Sequence, residues 1–558
     1  MNEVIIVNRE KCVGCNACVR NCPAPEANIT MQIDNNRFVT TVNPDKCITC
    51  GECTRTCTHG ARDYIDDTVD FFNRINKSKM VILATPAIKS VFPTKWKSIL
   101  DYFRKRGHLI YDVSMGADIC TWAHLRAIEA RKVGNIITQP CAAVVKYIEM
   151  YQPELLKNLV PIHSPISCAA VYIKKYLRRN EDIAVLSPCI AKKTEFTETG
   201  LVKYNVTFKK LMEQFSKQGI SIPDHSPNEY EYAFDGNQGQ VGAIYPRPGG
   251  LRDNIWLHNP DINITTSEGV HKVYPELDEY AKMSEYKHPE VFDCLSCEHG
   301  CNLGPASGSN QSIFDVMATM REVEKESKAR RKKSGLFNKG EDKLFKKFDD
   351  ELNLDDFTRN YMTYEQSPVP TLAQLDMIFD MMGKHTEAEK SHNCHACGYK
   401  SCKEMATAIF RGLNTPENCI VHAKSVLVAR HSELSIKHET LSEISETCKE
   451  ISNKLIEDLG SINEGMAAIG ESNVEIDDKV NSVNDLLNNV VDFCRANPNM
   501  NEKSVEQLIS ILNITNDAFS KLKLNVTSTK GNSIKIDDSI KDISKLVKEL
   551  NNKLNETE

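Results

Sequence analysis

The sequence predicts a multidomain chain: a small cysteine-bound α+β domain, then an α/β core, then a second small cysteine module and an α-helical tail. Three observations predict it. The 21 cysteines of the 558 residues fall mostly in tight groups. Short β-rich runs alternate with helical stretches between residues 66 and 320. From residue 430 onward, apolar side chains recur at steps of three and four over two long stretches.

The bulk properties exclude several classes. A chain of this length exceeds one hydrophobic core, so three or more domains are expected. A formal charge of −7 and a pI near 6.2 give no electrostatic case for a nucleic-acid partner. No apolar run reaches the ~18 residues of a membrane helix, and the opening MNEVIIVNREKC is not an export signal. A cytoplasmic protein without a membrane span is therefore expected. In that compartment grouped cysteines read as metal ligands rather than disulfides.

Residues 12–23 read CVGCNACVRNCP, the C-x2-C-x2-C-x3-C-P run of bacterial two-cluster ferredoxins, and CITCGECTRTC at 47–57 repeats the spacing with Thr58 in place of proline. A tight loop supplies three thiolates to a 4Fe-4S cube and the other motif supplies the fourth. The crossed assignment places Cys12, Cys15, Cys18 and Cys57 on one cluster, and Cys47, Cys50, Cys53 and Cys22 on the other. Residues 1–65 thus form a two-cluster ferredoxin domain that carries electrons without activating a substrate. Two zinc sites are the alternative, but zinc favours separated cysteine pairs.

In residues 66–325 the runs MVILATP, HLIYDV, GNIITQP, DIAVLSP and QVGAIYP read as strands, with TWAHLRAIEARK and AAVYIKKYLRR as helices. This is α/β architecture, with functional residues expected just past the strand ends. Cys141 and Cys189 sit at such places.

The motifs ITQPCAAVVKYIEMYQPELL, LSPCIAKKTEF and CEHGC, in that order, resemble the three signatures of the iron-only (FeFe) hydrogenase catalytic domain. ATPAIKS, GAD at 116–118 and PGGL at 248–251 also fit. The resemblance implies a central cubane on Cys141, Cys189, Cys297 and Cys301, with Cys301 bridging to a diiron subsite that carries CO and cyanide. It implies that Lys192 bonds a diiron cyanide and that Glu195 lies near the proton path. Those two residues and Cys301 are the candidate catalytic set.

The departures from the family pattern bear on activity. Pro140 stands where a cysteine donates protons, Ser187 and Leu295 stand at methionine positions, and Ile166 replaces a pocket glutamine. Ala123 and His124 occupy a helix where acidic relay residues are common. Losing a positioned proton donor removes ~10²–10⁴ in rate, so any hydrogen turnover is expected to be slow. The pattern is similar to the sensory branch of the family. Cys294 reads as a buried thiol, with a spare ligand or a replacement proton carrier as alternatives, Cys120 and Cys168 as core or near-pocket residues, and His299 as a candidate substitute proton carrier.

Residues 326–385 read as a charged linker with helices, the run 321–350 being a solvated helix or linker. At 386–425, NCHACGYKSCKEMATAIFRGLNTPENC resembles a cluster module of anaerobic electron-transfer and corinoid-linked proteins, with Cys394, Cys397, Cys402 and Cys419 as ligands. Zinc remains the alternative there. Residues 426–558 carry one apolar seam from Leu441 through Ile444, Cys448, Ile451 and Leu455 to Cys494, and a second from Leu512 to Leu554, interrupted near Pro498. A coiled-coil hairpin is expected, able to pair two copies of the chain.

The expected protein is an iron–sulfur electron-transfer protein with four 4Fe-4S clusters and a redox or hydrogen sensing role, passing its state to a redox partner protein. A slow ferredoxin-linked hydrogenase and a cubane-only electron-transfer or assembly protein are the alternatives.

Overall fold

The computed structural model describes residues 3–34, 37–131, 135–226, 231–334 and 343–467, together with scattered positions between 482 and 549. Two compact units result, Met1–His422 and Ala423–Glu558.

At the N-terminus, strands β1 (Ile5–Val7), β2 (Asn28–Asp34), β3 (Arg37–Val42) and β4 (Arg62–Tyr64) form two antiparallel pairs, β1 with β4 and β2 with β3. The cysteine motifs fill the connections, where the backbone must turn sharply. Gly14 takes φ +68 there, and a Cβ on it would meet the Phe38 carbonyl oxygen at 2.7 Å.

The α/β core has two parallel sheets. In the larger, β5 (Met80–Ala84), β6 (Leu109–Asp112), β8 (Asp182–Ser187) and β9 (Tyr204–Thr207) lie in the order β6-β5-β8-β9. Their side chains alternate between two cores, as a pleated strand requires. Met80, Ile82 and Ala84 join Phe71, Phe103 and Phe215 on one face, whereas Val81 and Leu83 join Ile166, Ala169 and Ile173 on the other. In the smaller sheet, β7 (Ile136–Ile137), β10 (Ile264–Glu268) and β11 (Val291–Leu295) lie in the order β10-β11-β7.

The run QVGAIYP, expected as a strand, is instead a single helical turn at Val241–Ile244. The backbone amides of Gln240 and Gly242 both donate to the Asp118 carboxylate, the second at 2.7 Å. A Cβ on Gly242 would meet the Ser114 carbonyl oxygen at 2.4 Å, so this segment packs directly on the helix Ser114–Arg131. The sequence reading missed β9, β10 and β11 because their polar or mixed composition lacks a clean alternation.

The charged stretch is not a solvated linker throughout. The helix Ile313–Ser334 buries Val316, Met320 and Val323. Residues 343–366 then form a strap across the core. Phe345, Phe348 and Phe357 join Trp122 and Ile162 in one apolar cluster, and Trp122 Nε1 donates to Asp349 at 2.7 Å. His163 N donates to the Phe357 carbonyl at 2.8 Å and Arg359 N to the Pro161 carbonyl at 3.0 Å. Three phenylalanines scattered among lysines and aspartates outweigh the local charge.

In the second unit, the helix Ile420–Ala467 runs on, with Ile444, Cys448, Ile451 and Leu455 buried. Of the later seam positions, Val483, Val490, Thr515 and Ile543 are buried. The others, with Cys494, lie outside the described side chains. Among the described residues, no helix is long and apolar enough to cross a membrane.

Candidate iron–sulfur sites

The central cavity lies past the C-terminal ends of parallel strands from both sheets, where a doubly wound fold places its ligands. Thr85 and Pro86 follow β5, Ser187–Cys189 follow β8, Cys141 lies beyond β7 and Cys297 beyond β11. Cys141, Cys189, Cys297 and Cys301 line this one cavity of about 110 Å³, so residues spread over 160 positions of sequence converge.

Each loop is held locally. Cys141 is the residue before the helix Ala142–Tyr151. The Cys189 loop is tied down by Asn205, whose Nδ2 donates to the Cys189 carbonyl at 2.9 Å, and by Ser187 Oγ, which donates to Asn205 Oδ1 at 2.9 Å. Ser187 thus has a structural task of its own. Cys301 N donates to the Pro246 carbonyl at 2.8 Å. Gly300 sits at φ 70, ψ −171, a region essentially reserved for glycine, and a Cβ there would meet the Pro246 oxygen at 2.3 Å. Gly300→Ala is expected to displace the Cys301 loop and lower iron bound at the central site, while the N-terminal cluster spectra stay unchanged. Iron per chain and low-temperature EPR check this.

Cys189, Cys297 and Cys301 are burdened by burial and by their neighbours. Burial pushes Cys301 up to about 12 and Cys189 up to about 11, with the neighbouring thiols adding to it. Cys297 is raised by burial and then by Cys301, Cys141 and Cys189. Thiols crowded in this way cannot ionise together without cationic charge between them, and an iron–sulfur cube supplies that charge. Among the described residues no three metal-binding side chains stand close enough to chelate a single ion.

Beside the cysteines the cavity is mostly apolar, with Pro140, Ile166, Leu251 and Leu295 in its lining, and Lys192, Asp293 and Tyr245 join Thr85, Ser187 and Ser296 as its polar members. Lys192 Nζ donates to the Pro140 carbonyl at 3.2 Å and to Glu195 Oε2 at 2.5 Å. Glu195 also accepts from Ser164 and Ser167, the latter at 2.7 Å. Burial would raise Glu195, but Lys192 and then Arg359 outweigh it and hold the carboxyl down to about 2. Arg359 comes from the strap and also meets Glu198 at 3.0 Å. Glu195 is therefore ionised at neutral pH and Lys192 is its paired cation. A carboxylate fixed this way orients a lysine and has no proton to deliver.

Asp293 is pushed up to about 6 by burial, although Thr138 Oγ1 donates to it at 3.1 Å. Cys120 and Cys168 are buried and both donate to the His163 carbonyl, at 3.5 and 3.2 Å. His124 is buried, its Nδ1 2.7 Å from the Cys120 carbonyl oxygen. Cys294 is fully buried, whereas His299 is exposed. The sequence reading missed Asp293, Arg359 and the Cys120–Cys168 pairing, which only long-range packing creates.

In the N-terminal domain, after burial, the thiol that most raises Cys22 is Cys47, and those that raise Cys50 are Cys22, Cys53 and Cys47. Cys18 has Cys12 and Cys15 beside it, and Cys57 Sγ accepts from Ala61 N at 3.3 Å. Burial pushes Cys22 up to about 12. Cys50 also lines the central cavity, and a Cβ on Gly51 would meet Ile190 at 2.5 Å, so the second ferredoxin loop abuts the Cys189 loop.

The C-terminal module packs on the opposite cysteine loop. Cys394, Cys397, Cys402 and Cys419 surround one small cavity. Ser401 caps the helix Cys402–Phe410 and Asn393 N donates to Cys402 Sγ at 3.4 Å. Cys397, Cys402 and Cys419 share an apolar cluster with Val19 and Cys18, Asn16 Nδ2 donates to Asn418 Oδ1 at 3.0 Å, and Thr30 N donates to the Leu413 carbonyl at 2.8 Å. Thus one cysteine group touches the central site and another touches the C-terminal module.

Residues 78–305 match the family described as the iron only hydrogenase large subunit, C-terminal domain. Residues 11–61 match the 4Fe-4S dicluster domain, and residues 392–421 a putative Fe-S cluster family. No curated protein matches. Among solved structures, the chain is similar to a variant of FeFe-hydrogenase HydA1 from Chlamydomonas reinhardtii at 13% identity and TM-score 0.42, over 54% of this chain and 100% of that one. It is similar to a HydA structure described for stepwise H-cluster assembly at 13% identity and TM-score 0.38, over 54% and 99%. With iron–sulfur modules matched on both sides of a core that matches the hydrogenase large subunit, the chain is a hydrogenase-like iron–sulfur protein.

Proposed function

We propose that this protein is a redox or hydrogen sensor that carries four 4Fe-4S clusters in series. Cys394, Cys397, Cys402 and Cys419 hold one end of the series; the pairs of N-terminal ligand sets Cys12, Cys15, Cys18, Cys57 and Cys22, Cys47, Cys50, Cys53 form the middle; Cys141, Cys189, Cys297 and Cys301 hold the other end. A diiron subsite on Cys301, when bound, supplies the hydrogen chemistry. Lys192, fixed by Glu195 and the Pro140 carbonyl, presents a cation to that pocket, suited to hydrogen-bonding an anionic ligand.

One observation carries the sensing role: Cys419 directly precedes the helix Ile420–Ala467, 48 residues long. A change of charge on a cluster held by Cys419 acts on the first turn of that helix, where unpaired backbone amides concentrate partial positive charge. The long helix then serves as the output arm toward a cytoplasmic partner or a second copy of the chain.

Infrared spectroscopy of anaerobically matured protein tests this reading. CO and cyanide bands are expected, with hydrogen uptake to viologen slow against ordinary hydrogenases. Absence of the bands after verified maturation overturns the hydrogen-linked role and leaves a cubane-only electron carrier. The second reading, a slow ferredoxin-linked hydrogenase, is favoured by the cavity beside Cys301; turnover unaffected by deleting residues 426–558 supports it.

A further inference from the structure

Arg62 stands at the start of β4 and is 6% exposed, an unusual place for a guanidinium. Its Nη2 donates to Cys18 Sγ at 3.2 Å, to Asn28 Oδ1 at 3.0 Å and to the Thr40 carbonyl at 2.9 Å. Its Nη1 is buried and has no hydrogen-bond partner. The groups that bear on its charge most strongly are thiols, Cys18, Cys53 and Cys22, drawn from both cysteine sets. From the other side, Arg62 is the leading charged neighbour of Cys18 and of Cys53.

A buried cation costs several kcal/mol unless opposite charge compensates it. Asn28 and the Thr40 carbonyl are neutral. The compensation has to come from what the cysteines hold, and a cube on four thiolates is anionic. The orphaned Nη1 and the Cys18 contact therefore fit two anionic clusters flanking one guanidinium.

We propose that Arg62 sets the reduction potential of both N-terminal clusters, holding each above the value its thiolates alone would give. Reduction adds one negative charge to a cluster. A fixed cation in a poorly screened interior favours that added charge, most directly on the cluster whose Cys18 sulfur it meets at 3.2 Å, and a hydrogen bond to a ligand sulfur acts in the same direction. The two middle stations of the relay thus share one cation and move together. The C-terminal site differs, since the donor on Cys402 Sγ is a backbone amide. The inference concerns the ferredoxin domain and holds whether the central site senses or turns over hydrogen.

The test is an EPR-monitored redox titration of the full, cluster-loaded chain. At the poise that half-reduces the N-terminal clusters of the native protein, Arg62→Gln is expected to shift the oxidised-to-reduced ratio of both at least tenfold toward oxidised. That corresponds to about 59 mV for a one-electron couple. Arg62→Lys keeps the charge and loses the fork, so a smaller shift is expected, confined to the cluster that Cys18 holds. The central and C-terminal signals stay in place in both variants. Unchanged midpoints in Arg62→Gln with full iron and sulfide content overturn the proposal. If Arg62→Gln loses its clusters, native midpoints for both clusters in Arg62→Lys overturn it instead, since the residue would then serve only to hold the fold.

Discussion

Replacing Pro140 with cysteine is expected to raise hydrogen uptake by the matured protein ~10²–10⁴-fold, the usual worth of a positioned proton donor. Pro140 lines the cavity next to Cys141, and its side chain has no exchangeable proton. Its carbonyl, which receives Lys192, survives the substitution. Neither Glu195 nor His299 already does the work. Glu195 is held ionised by Lys192 and Arg359, and His299 points to solvent. Uptake is followed with viologen under hydrogen, and the infrared bands of the variant confirm equal maturation. A Pro140→Cys protein that turns over no faster removes proton delivery as the reason for slow chemistry.

The second large effect concerns stability. Glu195→Gln is expected to destabilise the core by about 3–5 kcal/mol, because it leaves Lys192 and Arg359 buried with one carboxylate fewer. The pH dependence should change with it. The folded-state carboxyl lies near 2 against an ordinary value of 4.5. A depressed acid contributes stability that is complete above its unfolded value and is lost as pH falls from about 4.5 toward 2. The native protein should lose about 3 kcal/mol across that window from this group, at 1.36 kcal/mol per pH unit, and the variant should not. Denaturant unfolding of the core at pH 7 and at pH 3 measures both. Equal midpoints at pH 7 would show that the pair contributes nothing net.

The sites were largely legible in the sequence and the packing around them was not. Cysteine spacing is local information: CVGCNAC or CGYKSC closes one loop on itself, so a few residues suffice to mark it. Cys141 and Cys189 stood past strand-like runs, as DIAVLS, buried along nearly all its length, illustrates, whereas their convergence with Cys297 and Cys301 was implied only by the family resemblance, since the strand before Cys297 was not read from the sequence. QVGAIYP deceived because its apolar run is buried as a helical turn whose amides go to Asp118. Arg359 sits 164 positions from Glu195 in a segment dominated by lysine and aspartate, and no local pattern announces its partner. Arg62 was hidden similarly, since a lone arginine after a cysteine motif looks like any surface cation until the fold closes over it.

The strap has a consequence for how the chain is made. Residues 343–366 leave the ribosome after every core strand, yet they cover Trp122 and supply the guanidinium facing Glu195. A nascent chain paused before residue 343 holds Glu195 with Lys192 alone, the second cation Arg359 still untranslated and its apolar flank bare. Closure of the core, and with it the protection of whatever metal the four thiols have taken up, waits until the strap has been translated. A fragment ended at residue 325 would stay permanently in that waiting state.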